Sequence, residues 1–194
     1  MDISTDVIKS LRDRTGVSIM QCKKALEEAE GDVDKAEVIL RKRSGAAADK
    51  KSDRELGAGQ VATYLHGGEI GAMVLLSSET DFVARNEEFA TLARDIAMQV
   101  AATNPTYLKS EDINDDARTA AHAVFVEEVK DKPLEMQEKI LEGKMQSYFK
   151  DQVLLEQPFI KDDSKTVRDL ITEASQKFGE RVEISQFVRF SARG

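Results

Sequence analysis

The spacing of apolar residues predicts two kinds of secondary structure along the chain. Within residues 1–44, apolar side chains recur at helical spacing in three short runs. Ser18 and Gln21 form a capping-box pattern at the start of the second run, and Gly16 and Gly31 follow the first two runs as C-terminal stops. We therefore expect a three-helix head over residues 1–44. Modules of this size usually recognise a partner, because they are too small to enclose a substrate cavity.

After the head the pattern changes. Residues 45–54 lose the helical period and are predicted to form a linker, partly helical where alanine is frequent. From Gly59 the apolar period is two, which is typical of strands, and Gly67 with Gly68 predicts a two-residue hairpin turn between two such runs. A last alternating run predicts a third strand, paired antiparallel to the hairpin or at its edge. Its apolar residues, which alternation places on one face, are Val182, Ile184, Val188 and Phe190.

Helical patterns occupy most of the remaining chain. One begins near Glu87, two more form a helical hairpin over about residues 112–151, and another ends at Gly179. The sequence therefore predicts an α+β fold: the head, then a core over residues 55–194. This core consists of a small antiparallel three-stranded sheet packed with helices, together with the inserted helical hairpin.

Composition narrows the possible partners. The 194 residues carry a net charge of −8: residues 1–54 have a balance of +1, and the remainder, with 16 Lys and Arg against 25 Asp and Glu, has −9. Because phosphate binding needs a basic face, an acidic core argues against a nucleic-acid partner. The chain lacks the run of about 18 apolar residues that a bilayer span needs, so we expect no membrane partner.

The single cysteine and the two histidines also limit the chemistry. One cysteine cannot form an intrachain disulfide and is typical of a reducing compartment, so we expect a cytoplasmic protein. Cys22 falls on the apolar face of a predicted helix, which favours packing over reactivity. Two histidines and one cysteine, widely separated, do not make a recognisable zinc cluster, and we expect neither a metal nor another cofactor.

The segment from Thr80 to Asn86 is the most informative part of the sequence. It places a phenylalanine, Phe82, beside a carboxylate where a strand gives way to a helix, and such junctions lie at the surface and often carry function. The pattern alone is equally consistent with Phe82 as a core residue. Glu79 and Asp81, two apart on a strand, could form an acid–base pair. Charged residues near strand ends are, however, ordinarily just solvated.

Several separate motifs resemble those of the elongation factor Ts family. Residues 11–16 (Leu-Arg-Asp-Arg-Thr-Gly) and 20–26 (Met-Gln-Cys-Lys-Lys-Ala-Leu) are similar to its N-terminal signature, and residues 80–86 (Thr-Asp-Phe-Val-Ala-Arg-Asn) to its core signature. Residues 154–159 (Leu-Leu-Glu-Gln-Pro-Phe) and 188–190 (Val-Arg-Phe) also fit. The resemblance covers essentially the whole chain and is to the short form of the family, which has one core module.

This resemblance implies a specific activity and fold. Family members have a head like a ubiquitin-associated (UBA) domain and are exchange factors that bind the GTPase elongation factor Tu in its GDP-bound and nucleotide-free states. By resemblance, Asp81 and Phe82 reach into the GTPase domain, where the ring wedges between helices and disturbs the Mg²⁺ and phosphate site. GDP is then released and GTP rebinds. Thr80 and Val83 hold the turn that carries the pair.

The resemblance implies further contacts of the head and an assembly. Arg12, Ile19 and Met20 would touch a helix of the GTPase domain; the family commonly has methionine where Ile19 stands, so the contact would remain apolar. The single core module implies a two-fold homodimer in which each GTPase touches both subunits. On this reading the protein is not an enzyme, because it acts by protein contact.

Two other classes of function are compatible with the residues. The first is a protein-binding adaptor whose head recognises a partner without altering any nucleotide site. The second is a small hydrolase that uses Glu79, Asp81 and His66, which would need a pocket enclosing these groups and a strongly shifted carboxyl pKa. An exposed Phe82 that is dispensable for partner binding would favour the adaptor.

Overall fold

The computed structural model describes residues 3–49, 53–131 and 133–193. Residues 50–52 of the predicted linker lie outside this described part, as does Lys132 in the predicted break between the two hairpin helices. The α+β prediction is confirmed: N-terminal helices precede an antiparallel three-stranded sheet and further helices.

The head contains the three predicted helices. Helix α1 spans Thr5–Thr15, α2 spans Ile19–Glu28 and α3 spans Val33–Asp49. As the capping pattern predicts, the Ser18 hydroxyl accepts a hydrogen bond from the Gln21 N–H at 3.4 Å. The helices pack around a buried cluster, and all its members except Val17, which lies between α1 and α2, follow the predicted helical spacing: Ile8, Leu11, Val17, Cys22, Ala25, Leu26, Ala29, Ala36 and Leu40.

Helix α3 continues to Asp49, five residues past the predicted end of the head. The extension contains Ala46, Ala47 and Ala48, and alanine has the highest helix propensity of any residue. Helix-forming residues can therefore prolong a helix after its apolar period has ended. The division into head, linker and core remains a prediction.

The described part of the chain contains five strands: β1 (Ala58–His66), β2 (Ile70–Ser78), β3 (Pro158–Phe159), β4 (Asp162–Thr166) and β5 (Val182–Ser191). Strands β1, β2 and β5 form the three-stranded sheet in that order, and β3 and β4 form a small antiparallel pair. Gly67 and Gly68 have φ values of +59° and +75°, as the predicted hairpin turn requires.

After the hairpin the described residues form five further α-helices: α4 (Asp81–Ala84), α5 (Glu87–Thr103), α6 (Asp115–Val129), α7 (Leu134–Lys150) and α8 (Val167–Phe178). Helices α6 and α7 form the predicted helical hairpin. Gly179 follows α8 with a φ of +73°, a left-handed conformation that glycine adopts without strain.

The apolar residues of β5 differ in burial although alternation places them on one face. Val182 and Ile184 are buried, whereas Val188 is 40% and Phe190 71% exposed. Between the latter two, Arg189 donates a hydrogen bond to the carbonyl of Ala101 on α5 at 3.0 Å. The second half of the strand therefore turns its arginine to the helix and its apolar side chains to solvent.

The chain divides into two compact units. Unit 1 comprises Met1–Ala62, Leu75–Ala93 and Asp169–Ser185; unit 2 comprises Thr63–Val74, Arg94–Arg168 and Gln186–Gly194. Unit 1 thus contains the head together with α4, the beginning of α5 and most of α8. Unit 2 contains the helical hairpin and the second half of β5.

Candidate partner-binding site

The predicted junction lies between the end of β2 and the short helix α4. Thr80 has extended φ and ψ values of −125° and 157°, and the chain then turns at once into α4. The Ala84 N–H donates to the Thr80 carbonyl at 3.2 Å, and the Arg85 N–H donates to the Asp81 carbonyl at 3.0 Å. A strand therefore gives way to a helix where the apolar pattern indicates.

Phe82 is exposed on this turn. Its side chain is 83% exposed, whereas Val83 is 4% and Ala84 8% exposed. The two buried residues anchor the turn and leave the ring in water, which is unfavourable for an aromatic side chain. The structure thus excludes the alternative in which Phe82 is a core residue.

Asp81 lies beside the ring and pairs with Arg85. The two side chains are 3.0 Å apart at i,i+4 spacing on the surface, with the carboxylate 70% and the guanidinium 80% exposed. Pairs of this kind are worth only about 0.3–0.5 kcal/mol. The carboxylate can therefore exchange Arg85 for a group on a partner protein at little cost.

The two residues before Asp81 contact the segment that joins α8 to β5. Thr80 donates its N–H and its hydroxyl to the carboxylate of Glu180, at 3.0 and 2.6 Å. Glu79 accepts from the Arg181 N–H at 2.5 Å and from the Arg54 guanidinium at 3.1 Å. These contacts, all within unit 1, hold the start of the turn.

The three head residues named by the resemblance are also exposed. Ile19 and Met20 open α2 directly after its capping serine and are 58% and 70% exposed, and Arg12 is exposed on α1. Large apolar side chains that point into water, such as Ile19 and Met20, are typical of a contact surface for another protein. They lie in unit 1, as Thr80–Val83 do.

The head contacts α8 within unit 1. Gly16, with a φ of +67°, closes α1, and a Cβ on this residue would lie 3.3 Å from Cδ of Lys177. The Lys177 ammonium pairs with Glu88 at 2.7 Å. The side-chain amide N–H of Gln176 donates to the side-chain amide oxygen of Gln21 at 3.3 Å. The turn between α1 and α2 therefore lies over the side chain of Lys177.

Cys22 is a packing residue, as the sequence predicts. It is fully buried, and its thiol donates to the Val17 carbonyl at 3.6 Å. Burial raises the pKa of the Cys22 thiol, although hydrogen bonding to Thr15 opposes the shift. The thiol therefore stays protonated, and unreactive, at neutral pH.

The groups of the hydrolase alternative have other partners. Glu79 binds Arg181 and Arg54, Asp81 pairs with Arg85, and the exposed His66 contacts the Tyr64 hydroxyl at 3.3 Å. The geometry gives this alternative no support. Within residues 3–49, 53–131 and 133–193, no three His, Cys, Asp or Glu side chains cluster to hold a metal, and no helix is long and apolar enough to cross a membrane.

The sequence pattern did not indicate the role of Arg54, Glu180 and Arg181. Glu180 and Arg181 are about a hundred residues from the turn they contact, and all three are charged residues of an ordinary kind for loops. Periodicity reports only on neighbours along one helix or strand. Contacts across that distance in sequence need the tertiary structure.

The family model and the similar proteins that match this chain all indicate one family. The family model for elongation factor Ts matches residues 48–193. An elongation factor Ts of Thermodesulfovibrio yellowstonii is 48% identical over 191 residues, which cover 98% of this chain and 96% of that protein. Those of Thermotoga neapolitana and Coprothermobacter proteolyticus are 45% and 42% identical, and at least 97% of each chain is covered.

Proposed function

Because the chain belongs to the elongation factor Ts family, and so to the translation elongation factors, we propose that it is the guanine nucleotide exchange factor for elongation factor Tu. The observation that carries this proposal is the exposed ring of Phe82 on an anchored turn. An apolar side chain that the fold holds in water gains free energy when a partner covers it.

In the proposed mechanism, the Thr80–Val83 turn enters the GTPase domain of the GDP-bound partner. Phe82 inserts between helices of that domain, and Asp81 exchanges Arg85 for a polar group of the partner. The insertion displaces the segments that hold Mg²⁺ and the GDP phosphates, so GDP leaves and GTP can bind. Because coupling between two sites is reciprocal, GDP must weaken the binding of this factor as much as the factor weakens that of GDP.

Phe82 alone cannot supply the whole effect. A thousandfold to hundred-thousandfold acceleration of GDP release corresponds to roughly 4–7 kcal/mol, whereas burying one phenylalanine contributes about 1.5–3 kcal/mol. The remainder must come from other contacts and from the loss of Mg²⁺, whose charge balances the phosphates. Arg12, Ile19 and Met20 are the residues proposed for a second contact, because each is exposed on the head.

The proposal includes a two-fold homodimer. In unit 2 the sheet exposes four apolar side chains: Leu65, Met73, Val188 and Phe190. Their neighbours Ala72 and Val74 are buried, and Arg189 bonds to α5, so alternation directs the four away from the helix-covered face. A second copy of the same face would cover these side chains in a self-complementary interface.

The proposed partner also implies where in the cell this protein acts. Translation elongation occurs in the cytoplasm, where the single thiol stays reduced. The net charge of −8 makes direct binding to tRNA or ribosomal RNA unfavourable, so elongation factor Tu is the proposed partner rather than nucleic acid or a membrane. Exchange proceeds by protein contact and neither forms nor breaks a covalent bond.

The release of fluorescent GDP from elongation factor Tu tests the proposal. The complex is mixed with excess unlabelled GDP, with and without this protein, and the decay of fluorescence is followed. We expect the decay to accelerate with the concentration of the protein and then to saturate. Binding to elongation factor Tu without acceleration would establish the adaptor alternative and refute exchange.

A further inference from the structure

The contact between Glu180 and Thr80 lies two residues before the exposed Phe82 and is formed by two hydrogen bonds. Each carboxylate oxygen of Glu180 accepts one bond from Thr80: Oε2 from the N–H at 3.0 Å, and Oε1 from the hydroxyl at 2.6 Å. Two bonds to one carboxylate fix both the position and the orientation of a residue. Glu180 is half-buried in the turn after α8, so its own side chain is confined.

A second contact fixes the neighbouring residue. The Glu79 carboxylate accepts from the Arg181 N–H, and the Arg181 guanidinium donates in turn to the Arg54 carbonyl at 2.7 Å and to Glu183. Residues 79 and 80 are therefore held by residues 181 and 180. A paired contact of this kind resists rotation of the segment as well as its displacement.

Helix α4 needs such support, because it has only four residues. A single helical turn is unstable by itself, since its nucleation costs more than its few hydrogen bonds return. A threonine at the N-cap usually accepts a bond from its own helix, but Thr80 makes no such bond and instead donates to Glu180. The first turn of α4 thus depends on a residue outside the helix.

We propose that Glu180 is a positioning residue for nucleotide exchange: its carboxylate fixes Thr80 and thereby the direction in which Phe82 leaves the surface. This inference rests on the proposed function. Val83 and Ala84 anchor the turn from its buried side, and Glu180 fixes its beginning. Phe82 lies between these anchors. Without Glu180, Thr80 loses both bonds to that carboxylate, and the contacts that Arg181 and Arg54 make with Glu79 hold only the preceding residue.

The first test uses the free protein and needs no elongation factor Tu. Hydrogen exchange of the Thr80 amide is measured in the wild type, in Glu180→Ala and in Glu156→Gln. Glu156 is a control because it pairs with Arg168 in unit 2. We expect the Thr80 amide hydrogen to exchange at least tenfold faster in Glu180→Ala than in the wild type. The hydrogen-exchange rates of the β2 amides and the melting temperature should be nearly unchanged. An unchanged Thr80 amide would overturn the proposal.

The second test asks whether Glu180 acts through Phe82. Two quantities are measured for Glu180→Ala, Phe82→Ala and the double variant. The first is the maximal rate of GDP release from elongation factor Tu, and the second is the concentration of this protein that gives half that rate. We expect Glu180→Ala to lower the maximal rate about fivefold to tenfold and to change the half-saturating concentration less than twofold. In the double variant the loss should be close to that of Phe82→Ala alone, because a misplaced ring and an absent ring act alike.

The outcomes separate this inference from the proposed function. Additive losses in the double variant, or an unchanged maximal rate in Glu180→Ala, would show that Glu180 does not position Phe82. If the wild type itself does not accelerate GDP release, the exchange function is refuted. The hydrogen exchange at Thr80 then still decides whether Glu180 holds the turn. Glu180→Gln, which keeps one acceptor oxygen, should recover part of the rate.

Discussion

Phe82 in unit 1 and Phe190 in unit 2 are both strongly exposed, but their surroundings differ. Phe82 is 83% exposed on a tight turn, between the charged Asp81 and the buried Val83. Phe190 is 71% exposed on a strand of a sheet whose face carries three further exposed apolar side chains. One ring stands alone on a turn that hydrogen bonds hold in place, and the other belongs to a broad apolar surface.

This difference shows how the surroundings of an exposed apolar residue indicate the kind of contact it makes. A broad apolar face lowers its free energy only when a surface of similar size covers it, which suits a lasting association of two copies. An isolated ring on a fixed turn needs only a narrow pocket and can be withdrawn again, which suits a transient contact. We therefore propose that the sheet face serves assembly and that the turn serves exchange. Two predictions test this division, and a third compares the backbone of the two units.

The largest effect is expected on dimer formation in Phe190→Ala. Covering the exposed part of this ring contributes about 1–2 kcal/mol, and a two-fold interface contains the ring twice. The dimer dissociation constant should therefore rise roughly 30- to 1,000-fold. Analytical ultracentrifugation over a range of concentrations measures this constant.

Phe82→Ala is the matched control for the dimer measurement, because it removes another strongly exposed ring, from the other unit. Its dissociation constant should equal that of the wild type. If Phe190→Ala dimerises as well as the wild type, or if both variants weaken the dimer equally, the assignment of the sheet face is incorrect.

The second effect is on GDP release in Phe82→Ala. Loss of an inserted ring should slow release from elongation factor Tu by roughly tenfold to a hundredfold. Because the ring is exposed in the free protein, the free energy of unfolding should change by less than about 0.5 kcal/mol. Stopped-flow fluorescence and urea unfolding measure the two quantities.

Phe190→Ala provides the comparison for GDP release. It should release GDP at the wild-type rate when its concentration is high enough to restore the dimer. Unfolding of Phe82→Ala, or a release rate equal to that of the wild type, would contradict the insertion of this ring.

The smallest expected effect is on the free energy of unfolding, and it is measured at one glycine of each unit. Gly16→Ala should lower the free energy of unfolding by roughly 1–2 kcal/mol, because a left-handed conformation is unfavourable for alanine and Lys177 must move. Gly143→Ala should raise it by about 0.5–1 kcal/mol, because this residue lies in α7 with no atom near its added Cβ. Urea unfolding of both variants checks the opposite signs, and equal signs would refute the conformational argument.

Much of the fold could be predicted because its signals are local. The capping serine of α2, the glycine pair of the hairpin and the helical spacing of the head each act within a few residues, and the structure contains all three. Strand β4 could not be predicted, because its sequence, Asp-Asp-Ser-Lys-Thr, is polar and lacks alternation. It forms because β3 pairs with it, with Phe159 opposite Asp162.

In the candidate site, too, local signals could be predicted from the sequence and tertiary contacts could not. The motif around Asp81 and Phe82 could be identified from the sequence, as could the exposed start of α2 at Ile19 and Met20. The exposure of Phe82 could not, because a strand–helix junction can turn its apolar residue inward or outward. The burial of Val83 and Ala84 and the contacts of Thr80 decide that orientation.

The amino-acid sequence by itself determined the family, the fold class and the order of the longer helices and of the three strands of the main sheet, because these follow from short motifs and from periodicity between near neighbours. The tertiary structure alone decided which half of β5 is covered, which side chains surround Thr80, and that Phe82 faces water. Burial and long-range hydrogen bonds depend on which surfaces meet when the chain folds, and residues 80 and 180 become neighbours only then.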